Sequence, residues 1–318
     1  MTAGDGEVTL ELDGHEVVIS SPGKVFFSER GETKRDLVEF YRAVRDPLLA
    51  AMGGRPVLLQ RFPEGAEGSS FFQKRVPASR PPWLQTADVS TPNGTISNAL
   101  VAADPDHTDE LRIDLDPTPG VTFDMVREGA LVVRDVLGEL GLVGWPKTTG
   151  NRGIHVYLRL ERRWDSYQVR AAAVALARQL ERRRPDLLTA AWWKEERGRR
   201  VFVDFNQNAP HKTVFGAWCV RARPGAQVST PFHWDELDEA FHPDRLTMPV
   251  VAERVARDGD PWAGMYEGLQ SIEPLLAMYD RDLAAGLMDA PWPPVYPKQP
   301  NEPPRVAPSR AKKPKPEA

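Results

Sequence analysis

A single cysteine, Cys219, is all the thiol chemistry in these 318 residues. That excludes an internal disulfide and any cysteine-rich zinc site. Long apolar runs are missing too, and no stretch approaches the ~18 residues that a bilayer-crossing helix needs. Met1 to Glu7 is polar and acidic, without the basic-then-apolar layout of a secretory signal. Positive charge is also in short supply. With 41 Lys and Arg against 45 Asp and Glu, the net charge is −4, so contact with a polyanion must come from local basic clusters. These absences predict a soluble, cytoplasmic chain with no membrane partner. Hydrophobic residues make up 41%, enough for one or two domains. Proline is plentiful at 30 residues and crowds the C-terminus.

The most informative stretch is Leu111-Arg112-Ile113-Asp114-Leu115-Asp116-Pro117. It reads as a strand of alternating character running into a turn. Residues two apart share a face of an extended chain. Asp114 and Asp116 therefore point one way, and Ile113 and Leu115 point into the core. Two carboxylates on one face repel unless a positive charge lies between them, and a divalent cation held by hard oxygen ligands meets that need. A solvated acidic face is the plainer alternative.

Downstream, Thr122 precedes a predicted helix with Val126, Ala130, Val133, Leu137 and Leu140 on one face, and Gly141 fits its C-terminal cap. Lys147-Thr148-Thr149-Gly150-Asn151-Arg152-Gly153-Ile154-His155 then forms a glycine turn feeding a strand. Backbone N–H groups and a guanidinium in such a turn can meet phosphates, with His155 a further donor. Ser166 to Arg184 is an amphipathic helix ended by Pro185. Val201-Phe202-Val203-Asp204-Phe205 is expected to be a third apolar strand. A carboxylate in its middle is unfavourable unless paired or metal-bound. Ala217 to Arg221 is expected to return as a strand.

The N-terminal part begins with a predicted hairpin from Val8 to Ile19, turning at Asp13-Gly14. Thr33 can cap a helix carrying Leu37, Tyr41, Val44 and Leu48, which Pro47 should kink or end. Lys34 and Arg35 fall in its first turn, where the helix dipole disfavours cations unless an anion docks. Pro56 to Phe62 reads as a buried strand. Ser69 to Arg75 interleaves aromatic and basic residues, a pattern suited to stacked bases and phosphates, although one Phe could simply be core. Thr86 to Thr108 is polar and is expected to carry no strong helix or strand. Pro243 to Asp258 and Gly268 to Met288 are expected helices.

Val201 to Asn208, Val220-Arg221-Ala222-Arg223-Pro224-Gly225-Ala226 and Pro231-Phe232-His233-Trp234-Asp235-Glu236-Leu237 carry a resemblance. Over roughly residues 15 to 285, the chain resembles the polymerase domain of bacterial DNA ligase D and its stand-alone relatives in the archaeo-eukaryotic primase superfamily. The resemblance implies an α+β fold, a primase-type catalytic core of mostly antiparallel sheets flanked by helices. It implies a primase-polymerase domain over 1–290, internally of two subdomains, followed by a disordered Pro/Lys-rich tail over 291–318.

The implied activity is template-directed nucleotidyl transfer, extending a primer 3′-hydroxyl at short gaps or breaks and preferring ribonucleotides. Asp114, Asp116 and Asp204 would be catalytic and would bind two Mn²⁺ or Mg²⁺ ions about 3.5–4 Å apart. Thr149, Arg152, His155, Gln207, Lys212 and Arg221 would bind the nucleotide. Lys24 and Lys34 would hold a 5′-phosphate, with Phe71 and Phe72 stacking on the template. Implied partners are DNA with a gap or break, nucleoside triphosphates, a separate ATP-dependent DNA ligase and Ku. A monomer associated with the nucleoid is expected. The sequence departs from the family between Asn98 and Leu111, where an apolar helix and a strand usual in relatives are missing. A catalytically impaired DNA-end binder is therefore the alternative. A metal-dependent nuclease would share the acidic triad but has no need of a glycine turn plus histidine.

Overall fold

In the computed structural model, residues 6–52, 54–73, 75–84, 86–90, 96–100 and 108–310 are described. The shortened span lies largely outside them, at 101–107. The chain opens with β1 (Val8–Leu12) and β2 (His15–Ile19), paired antiparallel. Asp13 and Gly14 both adopt positive φ, 51° and 76°, as a two-residue hairpin requires. Next, β3 (Val25–Phe27) pairs with β4 (Glu32–Thr33). Thr33 and Asp36 form a reciprocal capping box on α1 (Lys34–Ala43), and α2 (Arg45–Met52) follows. The break at Val44 comes one turn before Pro47, whose ring cannot share a helix with the carbonyl four residues back.

Two expectations fail in the next segment. The strand placed at Pro56 to Phe62 is only β5 (Leu59–Arg61), and it is exposed throughout. It pairs with β6 (Phe71–Gln73), also at the surface, so with two strands and no covering layer it buries little. The stretch read as lacking structure contains a hairpin of β7 (Thr86–Ser90) and β8 (Ile96–Leu100). Its strands are five residues each and mix small and polar residues with few large apolar ones, too weak a signal to mark them.

The remaining elements are β9 (Glu110–Pro117), α3 (Phe123–Glu139), β10 (Trp145–Thr148), β11 (Ile154–Arg159), α4 (Ser166–Arg183), β12 (Leu188–Thr189), α5 (Lys194–Arg197), β13 (Val201–Val203), α6 (Met248–Asp258) and α7 (Glu273–Ala284). Five strands form one sheet in the order β10-β11-β9-β13-β12, antiparallel except for the β12–β13 pair. The fold is α+β with mostly antiparallel sheets.

Leu111, Ile113 and Leu115 of β9 are fully buried, with α3 and α4 packed against them through Val126, Ala130, Val133, Leu137, Val169, Ala173, Leu176 and Leu180. Thr122 caps α3, and Gly141 sits just past its end at φ 70°. A second core gathers Phe27, Phe40, Val44, Tyr157, Trp218, Val228, Met248, Val251 and Trp262. The segment 217–221 is not a strand; only Val220 bridges, to Val228. Both C-terminal helices are shorter than expected, since prolines sit in the first turn of each.

The tail expected from Pro291 is corrected up to residue 310. Trp292 and Tyr296 are buried with Ala209, and Glu302 is buried beside Arg305. Two aromatics and an ion pair anchor a segment whose proline content argued against packing. Residues 311–318 are outside the described part.

Candidate active site

Strand register assembles the site. His155 of β11 lies opposite Asp114 of β9, and Lys147 of β10 lies opposite His155. On the other side of β9, the Asp204 N–H donates to the Asp114 carbonyl at 2.8 Å, continuing the pairing beyond Val203. Directly opposed residues share a face. Lys147, His155 and Asp114 therefore form one row across three strands that Asp204 continues just past the end of β13, with Asp116 two residues along from Asp114. Asp204 is not inside a strand, contrary to expectation. β13 ends at Val203, and Asp204 caps the turn Phe205–Asn208, its Oδ1 accepting from Asn206 N–H at 3.0 Å. Gln207 Nε2 donates to its Oδ2 at 3.1 Å.

Electrostatics follow from this crowding. Burial, then the neighbouring Asp114 carboxylate, push Asp204 up to about 6. The same causes in the same order raise Asp116, which is more exposed. His155 is buried and its cationic form is disfavoured by that burial and by Lys147. Its Nε2 lies 3.2 Å from Asp114 Oδ1, the one group here that favours the cation. The other ring nitrogen, Nδ1, has no partner among the described residues.

Among the described residues, no group of three or more His, Cys, Asp or Glu side chains is gathered as a finished cation site. The donors nevertheless fit a divalent ion. All are hard oxygens, and their mutual repulsion is charge that a cation would relieve.

The glycine turn is built for close packing. A Cβ on Gly153 would lie 2.7 Å from the Leu115 carbonyl, between the two β9 aspartates in sequence. Gly150 has φ +69°, and a Cβ there would meet Ser229 N at 3.0 Å. Thr149 Oγ1 accepts from the N–H groups of Asn151 and Gly153, each at 3.2 Å. Thr149 thus shapes the turn, and two of its amides face inward rather than toward a phosphate. Arg221 Nε donates to the Thr149 carbonyl at 2.8 Å, with its guanidinium 3.6 Å from the Phe215 ring. Arg152 and Lys212 are exposed.

Two further basic residues stand in this region without a signal of their own in the sequence. Lys147 is wholly buried, its Nζ donating to Ser229 Oγ at 2.7 Å. Arg197 stacks on Phe202 at 3.4 Å and acts electrostatically on Asp116 and Asp204. The β10–β11 register places Lys147 there, and the end of α5 places Arg197.

Comparison with known proteins adds the decisive observation. The family model "LigD, primase-polymerase domain" matches residues 33–105 and 95–262. The chain belongs to this LigD primase-polymerase family. It is 31% identical over 275 residues to the multifunctional non-homologous end joining protein LigD of Mycobacterium bovis, covering 77% of this chain and 36% of that protein. It is 27% identical to the bifunctional LigD of Bacillus subtilis, covering 81% and 45%. The chain thus spans less than half the length of these relatives. The polymerase domain of Mycobacterium tuberculosis ligase D, solved in complex with DNA, superposes with a TM-score of 0.75 at 30% identity, covering 80% of this chain and 99% of that one. The two segments matched by the LigD family model overlap at 95–105, at the shortened span.

A second cluster lies in the N-terminal part of this LigD-type chain. The β3–β4 pairing brings Lys24 and Lys34 to one end of α1, where Lys34 N–H donates to the Lys24 carbonyl at 2.8 Å. Lys34 Nζ donates to the Ser20 carbonyl at 2.8 Å, and Lys24 Nζ to the Pro63 carbonyl. Phe71 and Phe72 are both exposed, 51% and 55%, so neither serves the core.

Proposed function

We propose that this chain is a DNA-directed nucleotidyltransferase that extends a primer 3′-hydroxyl opposite a template at short gaps or breaks, in non-homologous end joining. One observation carries the reading: Asp114, Asp116, Asp204, His155 and the Thr149–Gly153 turn converge at the end of one sheet in a LigD primase-polymerase chain. Asp114, Asp116 and Asp204 would hold Mn²⁺ or Mg²⁺, two ions by resemblance. Such ions activate an attacking hydroxyl and neutralise charge on the triphosphate.

The chain's own residues do the rest. His155 orients Asp114 through its Nε2–H, and Gln207 steadies Asp204. Arg221 ties the glycine turn in place, leaving the exposed Arg152 and Lys212 to pair with phosphate oxygens. Lys24 and Lys34 would receive a 5′-phosphate beyond the gap. Phe71 and Phe72, half-exposed on a surface hairpin, would stack on unpaired template bases. Ribonucleoside triphosphates are the preferred substrates in this reading. A separate ligase and Ku complete the repair reaction, with the chain acting as a cytoplasmic, nucleoid-associated monomer. Among the described residues, no helix is long and apolar enough to cross a membrane.

Primer extension on a short-gapped duplex tests the reading, with Mn²⁺ and either ribo- or deoxyribonucleotides. The expected result is extension stimulated by a 5′-phosphate and faster with ribonucleotides. The shortened span favours one alternative, a DNA-end binder without catalysis, which would bind the same duplex tightly and never lengthen the primer.

A companion measurement concerns the lysine pair. Lys24→Ala and Lys34→Ala should each weaken binding to 5′-phosphorylated gapped DNA by roughly tenfold, the worth of a charge-assisted hydrogen bond. Binding to 5′-hydroxyl DNA should hardly change. Equal losses on both duplexes would remove the phosphate assignment.

A further inference from the structure

Arg170 of α4 is 1% exposed and joins the C-terminal segment to the turn that carries Asp204. Its Nε donates to Asn206 Oδ1 at 2.7 Å, and its Nη1 to both Asp289 oxygens at 3.1 and 3.2 Å. Its Nη2 donates to the carbonyls of Ala290 and Pro291 at 2.9 and 3.2 Å. The guanidinium lies 3.9 Å from the Trp292 ring, and Trp292 Nε1 donates to Asp289 Oδ2 at 2.9 Å.

Asn206 is the node of this network. Its side chain accepts from Arg170 and donates to the Pro291 carbonyl at 3.2 Å. Its backbone N–H is the group that Asp204 Oδ1 accepts. One turn further, the Tyr296 hydroxyl donates to the Pro210 carbonyl, and Tyr296 and Trp292 pack on Ala209. Glu302 closes the segment, accepting from Trp292 N–H at 2.8 Å while paired with Arg305.

We infer that residues 289–305 are a strap whose function is to position Asp204. The strap seats Arg170 and Asn206, these hold the Phe205–Asn208 turn, and that turn aims the Asp204 carboxylate along the row shared with Asp114. A buried salt bridge is weak evidence for stability by itself; a network that ends on an active-site carboxylate orients that group. The inference rests on the reading of Asp204 as a metal-holding residue, and it makes Arg170, Asn206 and Trp292 positioning residues that touch no substrate.

The test uses the full chain carrying Trp292→Ala, Trp292→Phe or Tyr296→Phe. Three quantities are measured: amide hydrogen exchange across 203–209 and across 154–159, Mn²⁺ binding followed by the electron paramagnetic resonance signal of the free ion, and affinity for 5′-phosphorylated gapped DNA. Trp292→Ala should speed exchange at 203–209 while 154–159 stays unchanged. It should also weaken Mn²⁺ binding by about tenfold or more, the range for residues that orient ligands, with DNA affinity unaltered. Trp292→Phe keeps a ring on Arg170 and should retain most of the Mn²⁺ affinity.

Unchanged exchange at 203–209, or faster exchange with unchanged Mn²⁺ affinity, overturns the strap. If Trp292→Ala does not fold, Tyr296→Phe decides on the same readouts, since it removes only a hydroxyl. A parent chain that takes up no Mn²⁺ would remove the metal reading, and exchange at 203–209 would still decide whether 289–305 holds the turn.

Discussion

Asp116→Ala is expected to reduce primer extension on the order of a thousandfold, the scale of losing one preorganised charge at a reacting centre. Asp116 is exposed and lies at the open end of β9, opposite Phe202, so its removal leaves no cavity in the core. It also removes a like charge from beside Asp114, a neighbour that raises the pKa of Asp116 itself, and from Asp204. The variant should therefore unfold in chelator at the same temperature as the parent or slightly higher. Affinity for 5′-phosphate DNA should stay within about twofold, because exposed sites away from the contact change binding little. Retained extension would sink the nucleotidyl-transfer mechanism. Lost extension with lost folding would leave Asp116 a structural residue instead.

Lys147→Met is expected to stabilise the fold by much more. Lys147 is buried among Arg221, Arg112, Cys219, Asp114 and His155. Burial, with Arg221 as the next cause, pushes its ammonium down to about 7 from an ordinary 10.5. The sign follows from proton counting. Between those two values the unfolded chain holds a proton that the folded chain has released, so stability rises with pH across about 7 to 10.5. Below pH 7 the full penalty is present, an upper bound of about 5 kcal/mol from 1.36 kcal/mol per pKa unit.

Methionine has similar length and no charge. It leaves no orphan behind, because Ser229 Oγ also donates to the Thr148 carbonyl at 2.9 Å. Urea unfolding at pH 6 should show a gain of about 1–4 kcal/mol, as when buried ions give way to apolar groups. The gain should shrink as pH approaches 10. Primer extension should fall at least tenfold, since a cation kept at such expense in a core serves the site. A destabilised variant with a flat pH dependence would show that the lysine is held by contacts stronger than its burial penalty.

Much of this architecture was legible in local pattern. The alternation of Leu111, Ile113 and Leu115 against Asp114 and Asp116 specified which face of β9 is acidic, because a one-residue slip would bury both carboxylates. Thr33 and Thr122 announced helix starts through hydroxyls that meet otherwise unpaired amides. Other elements were illegible for equally physical reasons. The β7–β8 hairpin has strands of only five residues, Thr86–Ser90 and Ile96–Leu100, too short and too mixed in composition for a firm period. The segment beyond Pro291 looked like a tail because composition counts prolines, whereas the packing of Trp292 and Tyr296 depends on a site elsewhere on the chain.

The sequence by itself determined the chemistry on offer: three carboxylates in or beside apolar strands, a glycine turn with a histidine, two lysines near a helix start and a pair of phenylalanines. It also determined the strand that carries Asp114 and Asp116, since period is a local property, but not the turn that Asp204 caps. Only the tertiary structure decided which of these groups share a surface. Sheet order places His155 and Asp204 on either side of Asp114 and brings Lys147 into the same row. Strand pairing between distant segments is set by burial of the whole inner face rather than by any residue in the row. For the same reason the hold of Trp292 and Arg170 on the Asp204 turn, across more than 80 residues of sequence, could be seen only once the chain was folded.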